Sequence, residues 1–269
     1  GIRITCRGHW GIRQSILISD FPTLERSTMS APVPNTAMVF AAGLGKRMRP
    51  ITDAIPKPLV KVGGRALIDH CLDRLAANGV EQAIVNVHWR ADQIEAHLAH
   101  RKFPKILVSD ERPKLLDQGG GIKRALPAIG RSPFLLCNTD SFWIEGPRSN
   151  IARLADAFDP EAMDILLLVA ASAGAVGVDW PGDFTMTREG RLAPRAARHV
   201  APFVYTGVGI IKPHLFENET NDVFRLAPFF HAAAAKNRLF GVRLDGLWLH
   251  IGRPQTIVEA ELAIDRSVA

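Results

Sequence analysis

The feature that most constrains this chain is an apolar run that ends in a basic, glycine-rich turn. Residues 37–42 read Ala-Met-Val-Phe-Ala-Ala, and Gly43-Leu-Gly-Lys-Arg-Met48 follows directly. A second lysine, Lys57, lies between two prolines shortly afterwards. Glycine lets the backbone approach a phosphate closely, and lysine and arginine supply the charge that a phosphate requires. Strands that end in such loops build nucleotide sites at the carboxyl edge of α/β sheets, so we predict a phosphate-handling enzyme.

Composition narrows the class of protein and of partner. With 269 residues, of which 47% are hydrophobic and 22% charged, the chain can bury a full core, and we expect one domain or one domain with an appendage. No apolar run reaches the roughly 18 residues of a membrane span, so no membrane partner is predicted. The net charge of +6 is spread along a chain with a single tyrosine. This pattern favours an anionic small molecule over a nucleic acid, and a monomer or small homo-oligomer is compatible with it.

The N-terminal segment differs from the rest of the chain. Residues 1–35 contain scattered arginines and end in a stretch rich in proline, and Met29 is an alternative start. We expect a leader outside the core fold over 1–35 and a single folded domain over 36–269. The three cysteines, Cys6, Cys71 and Cys137, form no Cys-x-x-Cys pair. Cys71 and Cys137 lie in apolar patterns and are expected to be buried reduced thiols, which favours a cytoplasmic protein.

Apolar runs alternate with helical patterns after residue 36. Strands are predicted at 37–42, 82–87, 105–109 and 134–138, and helices at 65–78 and 91–100, the first closed by Gly79. Further on, the patterns predict helices at 150–158, 225–236 and 254–266, a buried run at 163–171 followed by a run at 203–211, and a segment at 239–250 between the last two helices. Residues 174–200 are expected to form a hairpin or loop near the sheet edge. The predicted fold is α/β: one Rossmann-like domain with a mixed, mostly parallel sheet and helices on both faces.

The glycine turn does not match two common nucleotide motifs. Met48 stands where Gly-x-Gly-x-x-Gly requires its third glycine, which leaves a dinucleotide fingerprint unsupported. A P-loop requires Ser or Thr after its lysine, and Arg47 follows Lys46 here. Taken alone, the segment could also be an ordinary turn with solvated basic residues.

A longer pattern resembles that of sugar-1-phosphate nucleotidyltransferases. Ala-Ala-Gly-Leu-Gly-Lys-Arg-Met-Arg-Pro-Ile-Thr at 41–52 and Pro-Lys-Pro-Leu at 56–59 are similar to both halves of their signature, and the resemblance extends over about 37–264. Segments 116–127, 134–140 and 224–229 look closest to N-acetylmuramate-1-phosphate uridylyltransferases. The resemblance implies a GT-A-like fold and an enzyme that joins a sugar 1-phosphate to a nucleoside triphosphate, with UTP favoured.

The finer resemblance implies release of pyrophosphate and formation of UDP-N-acetylmuramate in cell-wall recycling. Two alternatives remain open at this point. One is an enzyme that acts on a hexose or heptose 1-phosphate with GTP or another triphosphate. The other is a catalytically silent homologue that binds a nucleotide or a sugar.

The resemblance also implies roles for the residues of the basic turn. The backbone of Ala42, Gly43, Leu44 and Gly45 would lie against the triphosphate. Arg47 would contact the departing pyrophosphate and Lys57 the α-phosphate. Lys46 is expected to be a solvated neighbour.

Asp140 is the strongest metal candidate. It follows the apolar run 134–138 and Asn138, a residue that the resemblance places on the nucleotide side. A carboxylate at the end of a central strand suits Mg²⁺, which prefers oxygen ligands and bridges phosphate oxygens. An ordinary aspartate in a turn at the strand end is the alternative.

His250 stands where the family has its second metal carboxylate. Imidazole is a poor ligand for Mg²⁺ and suits softer metals better. Asp140 would then hold the metal alone, or the preference would shift toward Mn²⁺, or activity would be impaired. A histidine with a purely structural role also fits.

Two further groups of residues are candidates for the base and the sugar. Gly119 and Gly120 open a helical pattern where the family recognises the base, although flexibility at a helix start explains them too. Asn86 and His88 follow the second strand and are candidate pocket residues.

On the sugar side, the resemblance implies Tyr205, Thr206 and Gly207, with Asp183 as a further candidate. A buried tyrosine that seeks a hydrogen-bond partner is the alternative reading of this segment.

Overall fold

The computed structural model describes residues 32–268. Cys6, Met29 and most of the predicted leader lie outside the described residues, so the boundary at residue 35 stays a prediction. The last residue of that segment, Asn35, contacts the fold: its carbonyl accepts the backbone N–H groups of Glu81 and Gln82, each at 3.0 Å.

The described chain alternates strands and helices. The strands are β1 Thr36–Phe40, β2 Lys61–Val62, β3 Arg65–Ala66, β4 Gln82–Val87, β5 Lys105–Asp110, β6 Phe134–Asn138, β7 Ser141–Glu145, β8 Ile165–Ala171, β9 Phe184–Met186, β10 Leu192–Pro194, β11 Phe203–Ile211, β12 Leu239–Arg243 and β13 Gly246–His250. The helices are α1 Ile51–Ala54, α2 Leu67–Ala77, α3 Ala91–Leu98, α4 Asp117–Ile129, α5 Asn150–Ala157, α6 Ala227–Ala235 and α7 Gln255–Val268.

The central sheet is mixed, with a parallel half that positions the site. β6, β1, β4 and β5 are neighbours in this order and run parallel, with Val39 of β1 opposite Val85 of β4 and Cys137 of β6. The carboxyl ends of these strands therefore meet at one edge. β11 pairs antiparallel with β6 and with β8, which pairs parallel with β12, while β9 and β10 form the opposite edge. The predicted fold class is confirmed.

Both faces of the sheet are buried, which explains why its strands are apolar throughout. Met38 and Ile84 face one core cluster together with side chains of α4 and α6. Val39 and Val85 face the other, together with side chains of α2, α3 and α5. Because successive strand residues point to opposite faces, a strand covered on both sides has no position for solvated polar residues.

A ribbon outside the sheet lies beside the carboxyl edge. β13 pairs antiparallel with β7, and His250 is opposite Ser141. The backbone N–H of Ile251 donates to the carbonyl of Asp140 at 2.8 Å, which extends the ribbon to the end of β6. A smaller core cluster that includes Phe142, Leu249 and Ala260 lies between the ribbon and α7.

The predicted elements agree with the structure, with three differences. Arg65–Ala66, predicted as the start of a helix, pairs with β2 as a short strand before α2 begins. The predicted run 239–250 divides into β12 and β13, because Gly246 has a φ of +111°. β7 was not predicted, since it follows β6 after only two residues. The hairpin expected within 174–200 is β9–β10.

Among residues 32–268, no helix is both long and apolar enough to cross a membrane. Cys71 and Cys137 are buried and carry free thiols, as expected.

The packing of α2 against the sheet predicts a stability difference between two leucines. Leu72 is fully buried, whereas Leu262 on α7 is half exposed. We expect Leu72→Ala to lower the free energy of unfolding by about 2–5 kcal/mol, because it leaves a cavity in a close-packed core. Leu262→Ala should change it by less than about 0.5 kcal/mol. Urea unfolding of the two variants measures the difference, and equal losses would contradict the assigned packing.

Candidate active site

The carboxyl ends of the parallel strands enclose a cavity of about 410 Å³. This volume lies within the usual range of small-molecule sites, about 300–1,000 Å³. The backbone after β1 lines one side, through Ala42 and Gly43. The polar side chains that line the cavity are Lys57, Asn86, Glu111, Asp117, Gln118, Asn138, Thr139 and Asp140.

A short ion pair lies at the floor of the cavity. The Nζ of Lys57 is 2.9 Å from Oδ2 of Asp140, and the two side chains are 13% and 29% exposed. Burial alone would raise the pKa of Asp140, but the positive charge of Lys57 and the hydrogen bond with His250 outweigh it and hold this pKa well below its ordinary value. Asp140 is therefore a carboxylate at neutral pH.

Local geometry fixes Lys57 in this pair. The lysine begins a single turn of 3-10 helix, with Pro56 before it and Pro58 at its second position. The prolines restrict the backbone on both sides of the lysine. The side chain therefore enters the cavity from a constrained turn.

His250 lies beside the same carboxylate. Its Nε2 is 3.7 Å from Oδ2 of Asp140, and its Nδ1 is 3.3 Å from the carbonyl of Gly177. Its ring stacks on Trp248, with centroids 5.7 Å apart, and meets the edge of Trp180 at 5.3 Å. A carbonyl only accepts hydrogen bonds, so the contact with Gly177 requires a hydrogen on Nδ1 of His250.

The surroundings of Asp140 suit a site in which the protein supplies one ligand to Mg²⁺ and the substrate can supply another. Oδ1 of Asp140 accepts no hydrogen bond from any other described residue, so it is available to a cation. No group of three or more His, Cys, Asp or Glu side chains gathers here or elsewhere in residues 32–268. Mg²⁺ commonly binds through one or two carboxylates together with substrate phosphates and waters, and Asp140 suits that mode. His250 adds a nitrogen donor, which magnesium does not favour.

The glycine turn divides into residues that reach the cavity and residues that support it. Ala42 and Gly43 line the cavity, whereas Leu44 and Gly45 lie outside its lining. Gly45 has a φ of +62°, and a side chain there would meet Thr52 at 2.8 Å and Lys57 at 3.2 Å. Glycine at this position therefore allows the turn that brings Lys57 close.

Arg47 does not line the cavity. It is exposed and forms no hydrogen bond or ion pair with another residue between 32 and 268. A Cβ placed on Gly252 would lie 3.6 Å from its Nη1, so the guanidinium is near the ribbon end that carries His250. The structure thus brings Lys57 and Asp140 together and leaves Arg47 at the periphery.

The predicted base-side glycines are buried at the start of α4. The N–H groups of Gly119 and Gly120 both donate to the carbonyl of Phe224, at 3.0 and 3.3 Å. They lie against this neighbouring segment and not in the cavity lining, so their role in binding stays a prediction. The α4 residues that line the cavity are Asp117 and Gln118, and Nε2 of Gln118 donates to Oδ1 of Asn138 at 3.0 Å.

Two of the four predicted sugar-side residues line a second cavity of about 380 Å³. Asp183 and Tyr205 line it together with Trp180, Arg195 and His231. Because Trp180 also contacts His250, the two cavities are linked through His250 and Asp140.

The polar groups near this second cavity differ in whether they are already hydrogen-bonded within the protein. Asp183 is occupied by the protein: Oδ1 accepts from Nε1 of Trp180 at 3.1 Å and Oδ2 from the backbone N–H of Tyr205 at 2.9 Å. The hydroxyl of Tyr205 is buried and without a partner among the described residues, and burial raises its pKa. Thr206 is fully buried and donates to the carbonyl of Leu168 at 2.8 Å, so it supports β11 and does not line either cavity.

Gly207 lets β11 pass close to β6. Its φ is +85°, at an irregularity in the pairing of β11 with β8, and a Cβ there would lie 2.6 Å from Cβ of Asn138. Because Gly207 has no side chain, Asn138 has room to lie at the cavity wall.

Sequence reasoning missed Glu111. This carboxylate is fully buried at the edge of the cavity, directly after β5. The signal was present, since polar residues follow the apolar part of β5 as they follow β4 and β6. Of the two candidates at the end of β4, Asn86 lines the cavity, whereas His88 contacts the carbonyl of Glu111 at 2.7 Å.

Together, a parallel sheet with a glycine turn, a lysine and a strand-end carboxylate at its carboxyl edge defines a nucleotide-dependent transferase. A profile of the MobA-like NTP transferase domain matches residues 37–220, and the chain belongs to this family of nucleotidyltransferases. The predicted enzyme class is thereby confirmed.

Individual relatives agree with the family. The chain is 46% identical to the N-acetylmuramate alpha-1-phosphate uridylyltransferase of Caulobacter vibrioides over 85% of this chain and 96% of that protein. It is 33% identical to the enzyme of the same name from Neisseria meningitidis, over 84% and 96%. Its fold is similar to that of the inositol-1-phosphate CTP transferase from T. maritima, with a TM-score of 0.68, 20% identity, and coverage of 89% and 99%.

The contact between Gly207 and Asn138 generates a prediction. Gly207→Ala should lower the free energy of unfolding by about 1–3 kcal/mol more than Gly79→Ala, because its methyl group overlaps Asn138. Gly79 has a similar φ of +78° with open space around it, so its substitution carries only the left-handed backbone cost of about 1–2 kcal/mol. Urea unfolding of both variants makes the comparison, and equal destabilisation would show that Asn138 moves aside freely.

Proposed function

We propose that this protein transfers the uridylyl group of UTP to N-acetylmuramate 1-phosphate, a step of cell-wall recycling. The observation that carries the proposal is the cavity of about 410 Å³ in which Lys57 and Asp140 pair at 2.9 Å beside the glycine turn. The 46% identity to the Caulobacter vibrioides enzyme supports the choice of sugar and nucleotide. A cytoplasmic location follows from the use of UTP and from the reduced thiols, and the assembly is a monomer or small homo-oligomer.

The reaction requires positioning and charge compensation more than covalent chemistry. A phosphate oxygen of the sugar 1-phosphate forms a bond to the α-phosphorus of UTP, and the bond from that phosphorus to the bridging oxygen breaks. Pyrophosphate leaves with the electron pair of the broken bond. The attacking sugar phosphate, the α-phosphate and the leaving pyrophosphate are all negatively charged, so cations held in fixed positions lower the barrier.

On the nucleotide side, we assign the triphosphate to the cavity edge formed by Ala42 and Gly43, with Leu44 and Gly45 supporting the turn. Lys57 neutralises charge at the α-phosphate, since its side chain is largely buried and enters the cavity from a constrained turn. Arg47 contacts the departing pyrophosphate at the outer end of the site. Because it is exposed and has no partner within residues 32–268, its guanidinium is free to contact a bound substrate.

The base is assigned to the wall that contains Gln118 and Asn138. Their mutual hydrogen bond leaves Oε1 of Gln118 and Nδ2 of Asn138 for a ligand. Gly119 and Gly120 contribute by holding the start of α4 in place.

On the sugar side, we assign the acceptor to the second cavity. The unpartnered hydroxyl of Tyr205 supports this assignment, because a buried hydroxyl without a hydrogen bond is unfavourable until a ligand provides one. Arg195 and His231 add polar groups at its wall. Asp183 orients Trp180 and the Tyr205 backbone, while Thr206 and Gly207 shape β11.

Asp140 is the residue that would hold Mg²⁺, with His250 beside it. When bound, the ion would neutralise charge on the phosphate oxygens and fix their orientation. Asp140 lines the first cavity and is connected through His250 to Trp180 at the wall of the second, which supports placing it near the approach of the sugar phosphate to the α-phosphorus.

A matrix of substrates tests the proposal. Pyrophosphate release is measured with the purified protein over UTP, GTP, CTP, ATP and dTTP, over N-acetylmuramate 1-phosphate and hexose 1-phosphates, and with Mg²⁺ or Mn²⁺. Turnover should be highest with UTP and N-acetylmuramate 1-phosphate. Preference for GTP or for a hexose phosphate would replace the proposed substrates, and triphosphate binding without turnover in any combination would favour the silent homologue.

Asp140→Asn is the variant that links this activity to the site. It should lower kcat by at least about 100-fold, because it removes the charge that pairs with Lys57 and that would hold the metal ion. Asp92→Asn is the matched control, since the side chain of Asp92 is 94% exposed. Near-normal turnover of Asp140→Asn would remove Asp140 from the reaction.

His250→Asp tests why a histidine occupies this position. An oxygen ligand should maintain or raise turnover with Mg²⁺ relative to Mn²⁺, because Mg²⁺ prefers oxygen to nitrogen donors. The ratio of kcat values with the two metals is the measurement, and the exposed His214→Asp serves as the control. A large loss with both metals would show that the imidazole itself is required.

A further inference from the structure

Glu111 is a fully buried carboxylate without a cationic partner among residues 32–268. Its Oε1 accepts from Nδ2 of Asn86 at 2.8 Å, and its Oε2 accepts from the backbone N–H of Leu116 at 3.0 Å. Burial of a charge with only neutral partners is unfavourable unless its hydrogen bonds are well formed. The two hydrogen bonds therefore offset the cost of burying the charge of Glu111. If this residue served packing alone, an apolar side chain could replace it.

The hydrogen bonds continue from Asn86 to the glycine turn. Oδ1 of Asn86 accepts from the backbone N–H of Ala41 at 2.7 Å. Ala41 is the first residue after β1 and precedes Ala42 and Gly43, which line the cavity. A continuous series thus connects Leu116, directly before α4, to the start of the glycine turn through two side chains that both line the cavity.

The carboxylate determines how the amide is oriented. A carboxylate only accepts hydrogen bonds, so the NH₂ group of Asn86 must face Glu111 and its oxygen must face Ala41. A reversed amide would place two acceptors together at one end and two donors at the other. Glu111 therefore selects the single orientation of Asn86 that holds Ala41.

Space around this pair is restricted as well. A Cβ on Gly121 would lie 2.8 Å from Oε1 of Glu111 and 3.0 Å from Nδ2 of Asn86. The third glycine of α4 thus leaves room for the hydrogen bond between the two side chains. This close contact explains why a glycine stands at position 121, which the sequence alone did not explain.

We propose that Glu111 is a positioning residue that acts through Asn86 to set the distance between the glycine turn and the start of α4. These are the two walls between which the proposed function places the triphosphate and the base, so the inference rests on that function. Electrostatics alone would act the other way, because a negative charge near a triphosphate weakens its binding. The carboxylate is retained for the geometry that its hydrogen bonds impose.

An exchange of the two side-chain types tests the proposal. Glu111→Gln places an NH₂ group against either Asn86 or Leu116, so one donor faces another. Asn86→Asp places two carboxylates face to face. In the double variant, the amide of Gln donates to Asp and accepts from Leu116, while Asp accepts from Ala41, so every hydrogen bond returns and the net charge is that of the wild type.

Steady-state kinetics should separate these variants. Each single variant should raise the KM for the triphosphate about 10-fold, the equivalent of one lost hydrogen bond of about 1.4 kcal/mol. The double variant should return this KM to within about 3-fold of the wild type. The KM for the sugar phosphate should change less than about 2-fold in all three. Glu259→Gln, at an exposed position of α7, removes the same charge and should leave both KM values unchanged.

Three results would overturn the proposal. In the first, the double variant is no better than the weaker single variant. In the second, Glu111→Gln lowers the KM for the triphosphate, which would make charge its main effect. In the third, both KM values rise together with a fall in the unfolding temperature, as expected for a merely structural residue. If a single variant does not fold, recovery of the fold in the double variant supports the exchange and continued misfolding contradicts it.

Hydrogen exchange keeps this test separate from the substrate assignment. The amide protons of Ala41 and Leu116 should exchange faster in each single variant and return to the wild-type rate in the double variant, with no substrate present. An inactive wild type would remove the proposed function, while exchange rates and calorimetric titration with the triphosphate alone would still decide the role of Glu111. Unchanged exchange at both amides in the single variants would refute it.

Discussion

The pairing of Lys57 with Asp140 is the interaction on which the rest of the site depends. The two residues are 83 positions apart in the chain and meet at 2.9 Å. Each charge is partly withdrawn from water, so neither position is favourable without the other. The pair joins the turn after α1 to the end of β6, and it keeps a cation and an anion side by side in the cavity to which the proposed function assigns the triphosphate.

A second layer of contacts extends this pair in two directions. On one side, His250 and Trp180 connect Asp140 to the cavity lined by Tyr205. On the other, the hydroxyl of Thr139, the residue before Asp140, donates to the carbonyl of Phe40 at 2.7 Å and so connects the end of β6 to the strand that precedes the glycine turn. The antiparallel β7–β13 ribbon makes the first connection possible, because it brings a residue from the end of the chain beside the end of β6. The two cavities are thus built from different parts of the sheet and are connected through Asp140, His250 and Trp180.

Much of this could be predicted because its cause is local. The run at 37–42 is apolar throughout and residues 83–85 are apolar, as expected for strands covered on both faces, and Gly79 marks the end of α2. The glycine turn, Lys57 and Asp140 follow strands or lie between prolines, so their place at the sheet edge is a consequence of chain order. The strand pair β12 and β13 was not separable by pattern, because both are short and apolar. For Gly119 and Gly120, the sequence showed small residues but not the segment at 222–224 that fills the space above them.

The sequence by itself determined the family, the alternation of strands and helices, and the two charges at the floor of the cavity. Only the tertiary structure decided which polar groups have partners. The position of Glu111 after β5 places it at the sheet edge, but only the structure shows its burial and its bonds to Asn86 and Leu116 at the cavity wall. Arg47 belongs to the signature segment at 41–52, yet it lies outside the cavity wall. The physical reason is that a side chain's partners are set by residues distant in sequence, and the cost of burying charge depends on those partners.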